Sequence, residues 1–218
     1  PPDSGFAGFR FQEWNTASDW KTQDWIAFLG ASYFRAIGGL GQYGLSARGI
    51  AIDAAVHGRN EEFPDFTEFY IEAAEKPGDP VVVYALLDGP SVAGAFRFSM
   101  VRGLDRKKGV VMDVESAIHI RKDVERLGLI PLTSMFWYSE YGGHQLNDWR
   151  PEVHDSDGLA IWAQNGERIW RPLNNPPATT VSAFVGASPN GFGLMQRDRN
   201  FDNYRDGVRY DRRPSLWV

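Results

Sequence analysis

The 218-residue chain contains no cysteine. Disulfide bonds, thiolate zinc sites and iron–sulfur clusters are therefore excluded, although the absence does not indicate a redox compartment. Its four histidines, at positions 57, 119, 144 and 154, lack the spacing of zinc ligands. We therefore predict neither a metal site nor a bound cofactor.

Two further features are missing from the sequence. No apolar run reaches the roughly 18 residues that a transmembrane helix needs, so we predict no transmembrane segment. The net charge is −5 and the basic residues are interspersed with acidic ones, which argues against a nucleic-acid partner. The start at Pro1 has neither an initiator Met nor the pattern of a signal peptide, and we expect the chain to be a piece of a longer protein.

What the sequence does contain is a series of short β-branched and aromatic runs between Gly, Pro, Asn and Asp clusters. This pattern predicts an all-β fold, a sandwich or a barrel, with 23 glycines and 13 prolines for its tight connections. We see no repeat and no linker that would divide the chain. The predicted strands are 81–87, 94–101, 109–114, 117–120, 132–138, 158–163, 168–173 and 181–185.

Helical periodicity is present only in short segments. Residues 121–128 predict one or two turns that end at Gly128 as a C-cap, and Asp24 to Leu29 give a weaker helical pattern.

The segment G-L-G-Q-Y-G at 39–44 matches a dinucleotide-binding fingerprint, with Asp65 about twenty residues downstream. That fingerprint has to open a helix, however, and the following L-S-A-R-G-I-A-I-D is typical of a strand with Gly49 inside it. We interpret the segment as a glycine-rich turn.

Aromatic residues make up 14% of the chain, and several lie among polar residues. Flat rings stack on sugars while acidic, amide and arginine side chains bind the hydroxyl groups, so this composition favours a carbohydrate ligand, with core packing as the alternative. These aromatics are Trp14, Trp20, Trp25, Trp137, Tyr138, Tyr141, Trp149 and Trp162.

The segment 197–214 contains six Arg and four Asp in near alternation. It is either a solvated loop of ion pairs or a polar wall of a sugar-binding cleft, to which Arg197, Asp198 and Arg213 would belong.

The stretch R-P-E-V-H-D-S-D-G-L-A-I-W at 150–162 concentrates one histidine and three carboxylates in six positions. It lacks the ligand pattern of a calcium loop. If the segment is extended, Asp155 and Asp157 project from one face as an acid/base pair, with His154 orienting a carboxylate. A polar turn that ends at Gly158 is the alternative.

Several of these segments, in this order, resemble the osmoregulated periplasmic glucan biosynthesis family (OpgG/OpgD, also called MdoG/MdoD) over essentially the whole chain. H-D-S-D-G-L and R-R-P-S-L-W-V resemble the D type more closely. The other segments are F-L-G-A-S-Y-F-R-A (28–36), Y-G-L-S-A-R-G-I-A-I-D (43–53), E-E-F-P-D-F (61–66), Y-A-L-L-D (84–88), L-T-S-M-F (132–136), W-R-P-L-N-N-P (170–176) and G-F-G-L-M-Q-R-D-R (191–199).

The resemblance implies a periplasmic protein with a large N-terminal β-sandwich of the galactose-mutarotase-like type and an immunoglobulin-like C-terminal domain. Residues 1–218 would then be an incomplete N-terminal domain, without the C-terminal one. The family's polymer is β-1,2-glucan, and D-type members are endo-β-1,2-glucanases that invert the anomeric centre. A homodimer is one assembly that the sequence leaves open.

The resemblance also implies roles for particular residues. It places the general base, acting through a chain of water molecules, at Asp155, with Tyr210 in the proton relay and Asp157 as the competing base. It places the general acid beyond Val218, so we expect this chain alone to be inactive. The candidate substrate-binding residues are His154, Asp157, Arg197, Asp198, Arg213 and Trp162.

Two other functions remain compatible with these residues. One is a non-catalytic protein that binds or guides the glucan. The other, suggested by fold analogy alone, is a sugar mutarotase with His154 as acid and Glu152 as base.

Overall fold

The computed structural model of the protein describes residues 8–12, 24–76, 78–103, 109–140 and 148–218. Within these residues nearly all of the regular secondary structure is β-strand, which confirms the predicted all-β sandwich. The chain divides into two compact units: residues 1–37 with 47–131, and residues 38–46 with 132–218.

The first unit is built from two antiparallel sheets of four strands and a two-stranded ribbon. One sheet has the order β1-β2-β3-β4, the other has the order β6-β7-β8-β9, and β5 pairs with β10. The strands are β1 (Gly8–Gln12), β2 (Asp24–Leu29), β3 (Tyr33–Ala36), β4 (Ser46–Arg48, whose Ser46 is counted with the second unit), β5 (Ile50–Ile52), β6 (Asp65–Glu72), β7 (Val81–Asp88), β8 (Val92–Arg102), β9 (Val110–Ile120) and β10 (Leu127–Leu129).

Phenylalanine rings from both four-stranded sheets meet in the core of this unit. Phe28 of β2 packs edge-on against Phe98 of β8, with ring centroids 5.1 Å apart, and Phe9 of β1 packs against Phe69 of β6 at 4.8 Å. Phe28 and Phe98 are completely buried. These contacts hold the two sheets face to face as a sandwich, because edge-to-face ring pairs add to the free energy gained by burying apolar surface.

The strand predictions in this unit are largely confirmed. Strands β7 and β8 lie where they were predicted, and residues 109–114 and 117–120 form one continuous strand, β9. The turn at 39–44 leads into β4, with a bend at Gly49 before β5, so the glycine-rich turn is confirmed and the helix that a dinucleotide fingerprint needs is not there.

Both helix predictions are wrong. Asp24–Leu29 is the strand β2, whose first five residues are all buried, so the apolar positions give no alternation that would mark a strand. Residues 121–126 are irregular with two bends, and Gly128 lies inside β10 opposite Ala51 instead of capping a helix.

The second unit contains one four-stranded sheet, a short two-stranded ribbon and the only helix of the described residues. The sheet order is β15-β14-β16-β17, and β12 pairs with β13. The elements are β11 (Leu132–Thr133), β12 (Phe136–Tyr138), β13 (Val153–His154), β14 (Gly158–Trp162), β15 (Arg168–Pro172), β16 (Gly191–Met195), β17 (Leu216–Trp217), the helix α1 (Phe201–Tyr204) and a 3-10 turn at Tyr210–Arg212.

Strands β14 and β15 confirm two predictions, and residues 132–138 form two shorter strands, β11 and β12. The prediction for 181–185 is wrong, because these residues are exposed and form no strand; Val185 is fully exposed. A buried cluster of three tyrosines and a valine supports α1 and the 3-10 turn: Tyr138, Val153, Tyr204 and Tyr210.

Candidate functional site

The second unit contains a cavity of about 240 Å³, open to solvent, whose wall combines acidic, basic and aromatic side chains. A cleft with a few converging polar groups and an aromatic wall has the features of a small-molecule binding site. It is lined by Phe136, Ser139, Glu140, Glu152, His154, Asp157, Trp170, Pro172, Leu173, Arg197 and Asp198.

The acidic stretch around His154 reaches this cavity as a bend between two strands. Strand β13 ends at His154, the chain bends at Asp155 and Asp157, and β14 begins at Gly158. The backbone amide of Asp155 donates to Met135 O and that of Asp157 to Met195 O. The segment is therefore not extended, and its two aspartates have different surroundings.

His154 and Glu152 form a buried pair at the cavity wall. Nε2 of His154 lies 2.7 Å from Oε2 of Glu152, and the histidine is 1% exposed. The sequence places His154 among the substrate-binding residues and, with Glu152, in the mutarotase hypothesis. In the structure these two side chains contact each other.

Asp157 holds the loop that follows β16. Its Oδ2 accepts hydrogen bonds from the backbone amides of Arg197 and of Asp198, the latter at 2.8 Å. Its Oδ1 lies 3.4 Å from the Tyr204 hydroxyl and 3.7 Å from Nδ1 of His154. Asp157 thus lines the cavity and also fixes the backbone of two neighbouring lining residues.

Asp155 does not line the cavity and faces an arginine. Nε of Arg213 lies 2.9 Å from Oδ1 of Asp155, and the two side chains are 14% and 17% exposed. Nη1 of the same guanidinium donates to Tyr43 O at 3.2 Å, so Arg213 joins the glycine-rich turn to the acidic bend. The guanidinium thus places a positive charge directly beside the Asp155 carboxylate.

Tyr210 lies in the same neighbourhood. The guanidinium of Arg213 is 5.3 Å from the centre of its ring, and burial, followed by the charges of Asp206 and Asp155, raises the pKa of the Tyr210 hydroxyl. Tyr210 is therefore a neutral phenol that can pass a proton while accepting another, as a relay requires.

Gln196 and Tyr204 connect the two aspartate neighbourhoods. Nε2 of Gln196, which is 2% exposed, donates to the Tyr204 hydroxyl at 2.8 Å and to Tyr210 O at 2.9 Å. Burial, together with the charges of Asp157, Asp198 and Glu152, raises the pKa of Tyr204, so its hydroxyl keeps its proton. Sequence reasoning missed Gln196 and Tyr204, because nothing in the linear pattern distinguishes them from other loop residues.

The tryptophan that lines the cavity is Trp170, not Trp162. The Arg168 guanidinium covers the Trp162 ring at 3.7 Å, since these two residues are directly opposite in the β14–β15 ladder. Trp170 lies across from Ala160 in the same ladder and lines the cavity, with the Arg197 guanidinium 5.0 Å from its ring centre. A small residue opposite Trp170 was the available signal for this choice, but it requires the strand register.

The remaining candidate aromatics divide between core and surface. Trp25 and Tyr138 are buried, whereas Trp137 and Trp149 are 58% and 71% exposed. Trp14, Trp20 and Tyr141 lie outside the described residues.

Much of the arginine- and aspartate-rich segment forms ion pairs. Arg209 pairs with Asp211 at 2.7 Å, and Arg150 pairs with Asp206 at 2.7 Å and with Asp148 at 2.6 Å. Of this segment, only Arg197 and Asp198 line the cavity.

Across the ranges that the structure describes, no group of three or more histidine or acidic side chains is arranged to hold a metal ion. No helix in the described part of the chain has the length and apolarity needed to span a membrane.

Comparison with known proteins shows the family to which this chain belongs. The family model "Periplasmic glucan biosynthesis protein, MdoG" matches residues 1–218. Among curated relatives, glucans biosynthesis protein D 2 of Ralstonia nicotianae is 59% identical over all of this chain and 41% of its own length. Glucans biosynthesis protein D of Xanthomonas axonopodis pv. citri is 55% identical, and that of Stenotrophomonas maltophilia 54%, each over all of this chain and 39% of the relative. The chain therefore spans about two fifths of the length of these relatives.

Proposed function

Because this chain belongs to the MdoG family of periplasmic glucan biosynthesis proteins, we propose that the full-length protein acts in the periplasm on β-1,2-glucan. It does so as an inverting endo-β-1,2-glucanase within osmoregulated glucan biosynthesis. Relatives named glucans biosynthesis protein D support the assignment to the D type.

The observation that carries the enzymatic part is the cluster of Asp155, Arg213 and Tyr210. It combines a carboxylate that is paired with a guanidinium and a neutral, buried phenol. Asp155 is two residues from Asp157, the carboxylate that lines the cavity. Since Asp155 does not itself line the cavity, it removes the proton of the attacking water through Tyr210 and intervening water molecules. This arrangement fits the base half of an inverting hydrolysis, in which the two carboxyl groups lie on opposite faces of the sugar.

The binding part of the proposal rests on the cavity. Trp170 offers a ring for stacking on a glucosyl unit, and the side chains of Arg197 and Asp198 bind hydroxyl groups.

Asp157 is the competing base, and the contacts of its carboxylate argue for a different role. The backbone amides of Arg197 and Asp198 both donate to its Oδ2, so Asp157 holds in place the loop that carries these two lining residues.

The test is the pair Asp155→Asn and Asp157→Asn in the full-length protein, assayed by release of reducing ends from linear β-1,2-glucan. Loss of a general base lowers turnover by at least about 100-fold, whereas binding, measured by isothermal titration, survives Asp155→Asn. Turnover retained by Asp155→Asn and lost in Asp157→Asn would transfer the role of base to Asp157.

A non-catalytic glucan-binding protein is the second candidate, favoured by the involvement of Asp157 in backbone hydrogen bonds. Full-length protein that binds linear β-1,2-glucan in the titration but releases no reducing ends would establish this function and exclude the hydrolase.

A further inference from the structure

His154 lies between two carboxylates at the cavity wall. Its Nε2 is 2.7 Å from Oε2 of Glu152 and its Nδ1 is 3.7 Å from Oδ1 of Asp157. Phe136 of β12 and Tyr204 of α1 pack against the ring, with centroids 5.9 and 5.3 Å away. The side chain is 2% exposed, so neither nitrogen is freely hydrated.

These contacts determine which nitrogen atoms of the imidazole carry a proton. Nε2 donates to Glu152, because a carboxylate only accepts. In a neutral ring Nδ1 then carries a lone pair that faces an oxygen of Asp157, and no donor in the described residues reaches that buried nitrogen. An imidazolium instead presents an N–H to each carboxylate, so the positive form suits the site.

We propose that His154 is a positioning residue for the glucan: as an imidazolium it bridges Glu152 and Asp157 and thereby fixes the wall of the cavity. His154 acts on the ligand through Asp157, whose Oδ2 accepts hydrogen bonds from the backbone amides of Arg197 and Asp198. The identity of the ligand rests on the function proposed above, whereas the bridge itself does not.

The other charged groups at the cavity define the electrostatic setting. Glu140 and Asp198 add negative charge and Arg197 adds positive charge to its lining. The Tyr204 hydroxyl, whose pKa is raised by burial, stays neutral next to Asp157. Acidic groups therefore outnumber basic ones around His154, and deprotonation of the imidazolium removes a charge that offsets two carboxylates.

The experiment uses full-length protein and the variant His154→Gln, whose amide nitrogen reaches the place of Nε2 without carrying a charge. Affinity for linear β-1,2-glucan is measured by isothermal titration across the range in which imidazoles lose their proton, about pH 5 to 8. The wild-type affinity falls as the pH rises. His154→Gln binds about tenfold more weakly at the acidic end and shows no such fall.

The matched control is His119→Gln. His119 is an exposed histidine of β9 in the first unit, and its substitution leaves the pH dependence of binding intact. A His154→Gln variant that keeps the wild-type pH dependence would overturn the proposal.

A second readout does not need glucan. Hydrogen exchange of the amides at 197 and 198, corrected for the intrinsic effect of pH on exchange, becomes faster in the wild type as pH rises and is fast throughout in His154→Gln. If wild-type protein binds no glucan but its exchange behaves in this way, the glucan function fails and the bridge stands. If the protein binds glucan while exchange in the two proteins is equal at every pH, the bridge is refuted and the function stands.

Should His154→Gln fail to fold, Glu152→Gln carries the test. It retains the histidine and its packing but replaces one carboxylate with a neutral amide, so the wild-type fall in protection of the 197 and 198 amides moves to lower pH. An unmoved profile would contradict the bridge.

Discussion

Arg213 and Asp155 form an ion pair, with Nε 2.9 Å from Oδ1, and the same guanidinium donates through Nη1 to Tyr43 O. The planar guanidinium of Arg213 therefore contacts two groups that lie far apart in sequence. A lysine ammonium is a single point charge on a flexible stem, and it cannot reproduce both contacts.

We therefore expect Arg213→Lys to lower kcat/KM for linear β-1,2-glucan by about tenfold or more, since a contact to a charged group contributes roughly 1.5–3 kcal/mol. The measurement is reducing-end release by the full-length protein. Arg212→Lys, a change at the neighbouring exposed arginine, is the control and keeps wild-type kinetics. Equal kinetics in both variants would contradict a role of the pair in holding the base.

Gln196→Leu tests the link between Tyr204 and Tyr210. The substitution preserves approximate volume but removes the donor to the Tyr204 hydroxyl and to Tyr210 O, both of them buried residues. We expect the free energy of unfolding to fall by about 2 kcal/mol, as for other buried polar groups that lose a partner.

The measurement is urea denaturation. Gln164→Leu, at an exposed glutamine of the turn between β14 and β15, is the control and changes stability by less than about 0.5 kcal/mol. A Gln196→Leu variant as stable as the control would show that water replaces the lost donor.

Asp148→Asn addresses acid stability. The hydrogen bonds from Arg150 lower the pKa of Asp148 to about 2. Burial alone would raise the pKa of Asp206, but hydrogen bonds from the Val208 amide and from Arg150 lower it overall.

A carboxyl whose pKa is lower in the folded state stabilises the fold above its unfolded pKa, about 3.9, and this stabilisation is lost as the pH falls through the folded value. We therefore expect stability to decline between about pH 4 and 2 and to decline less in Asp148→Asn. Thermal denaturation across this range measures it. Asp113→Asn, at an exposed aspartate of β9, retains the wild-type decline, and a decline unchanged in Asp148→Asn would refute the assignment.

Asp53 gives a prediction for the first unit. It is 7% exposed, has a φ of 51°, and its Oδ1 accepts from the backbone amides of Glu125 and Arg126 at 2.9 and 2.8 Å. Asp53→Ala leaves both amides without this acceptor and places alanine in the left-handed region, so we expect a loss of about 2–3 kcal/mol.

Asp53→Asn keeps an acceptor oxygen and a residue type that tolerates this φ, so its loss is smaller. Denaturation by urea compares the two variants, with Asp123→Ala at an exposed aspartate as the control. Equal losses in Asp53→Ala and Asp53→Asn would mean that the hydrogen bonds contribute nothing measurable.

The sequence correctly predicted the strands that are buried on one face and exposed on the other, and those that are rich in β-branched residues. Strand β7 alternates buried and exposed residues along most of its length, and the sequence predicted it closely. Strand β2 is buried on both faces, so its apolar run carries no period of two and resembled a helix. The error at 181–185 has the opposite cause, because a β-branched segment without a neighbouring strand forms no ladder.

The candidate site could be predicted in composition but not in geometry. The acidic bend and the loop at 197–198 do meet at one cavity, as the grouping of His154, Asp157, Arg197 and Asp198 implied. The sequence could not tell that Asp155 turns to Arg213 while Asp157 turns to the cavity, since that depends on bends at both residues. It also could not select Trp170 over Trp162, because the choice is made by which residue each faces in the neighbouring strand.

The backbone of Gly158 lies so close to Trp170 that a methyl group there would fall 2.8 Å from the indole and 2.4 Å from Arg171 O. The absence of a side chain directly after Asp157 thus leaves room for the indole that lines the cavity. Enlarging position 158 by one carbon would push against both Trp170 and the Arg171 carbonyl, so the position of the aromatic wall depends on the smallest residue in this bend.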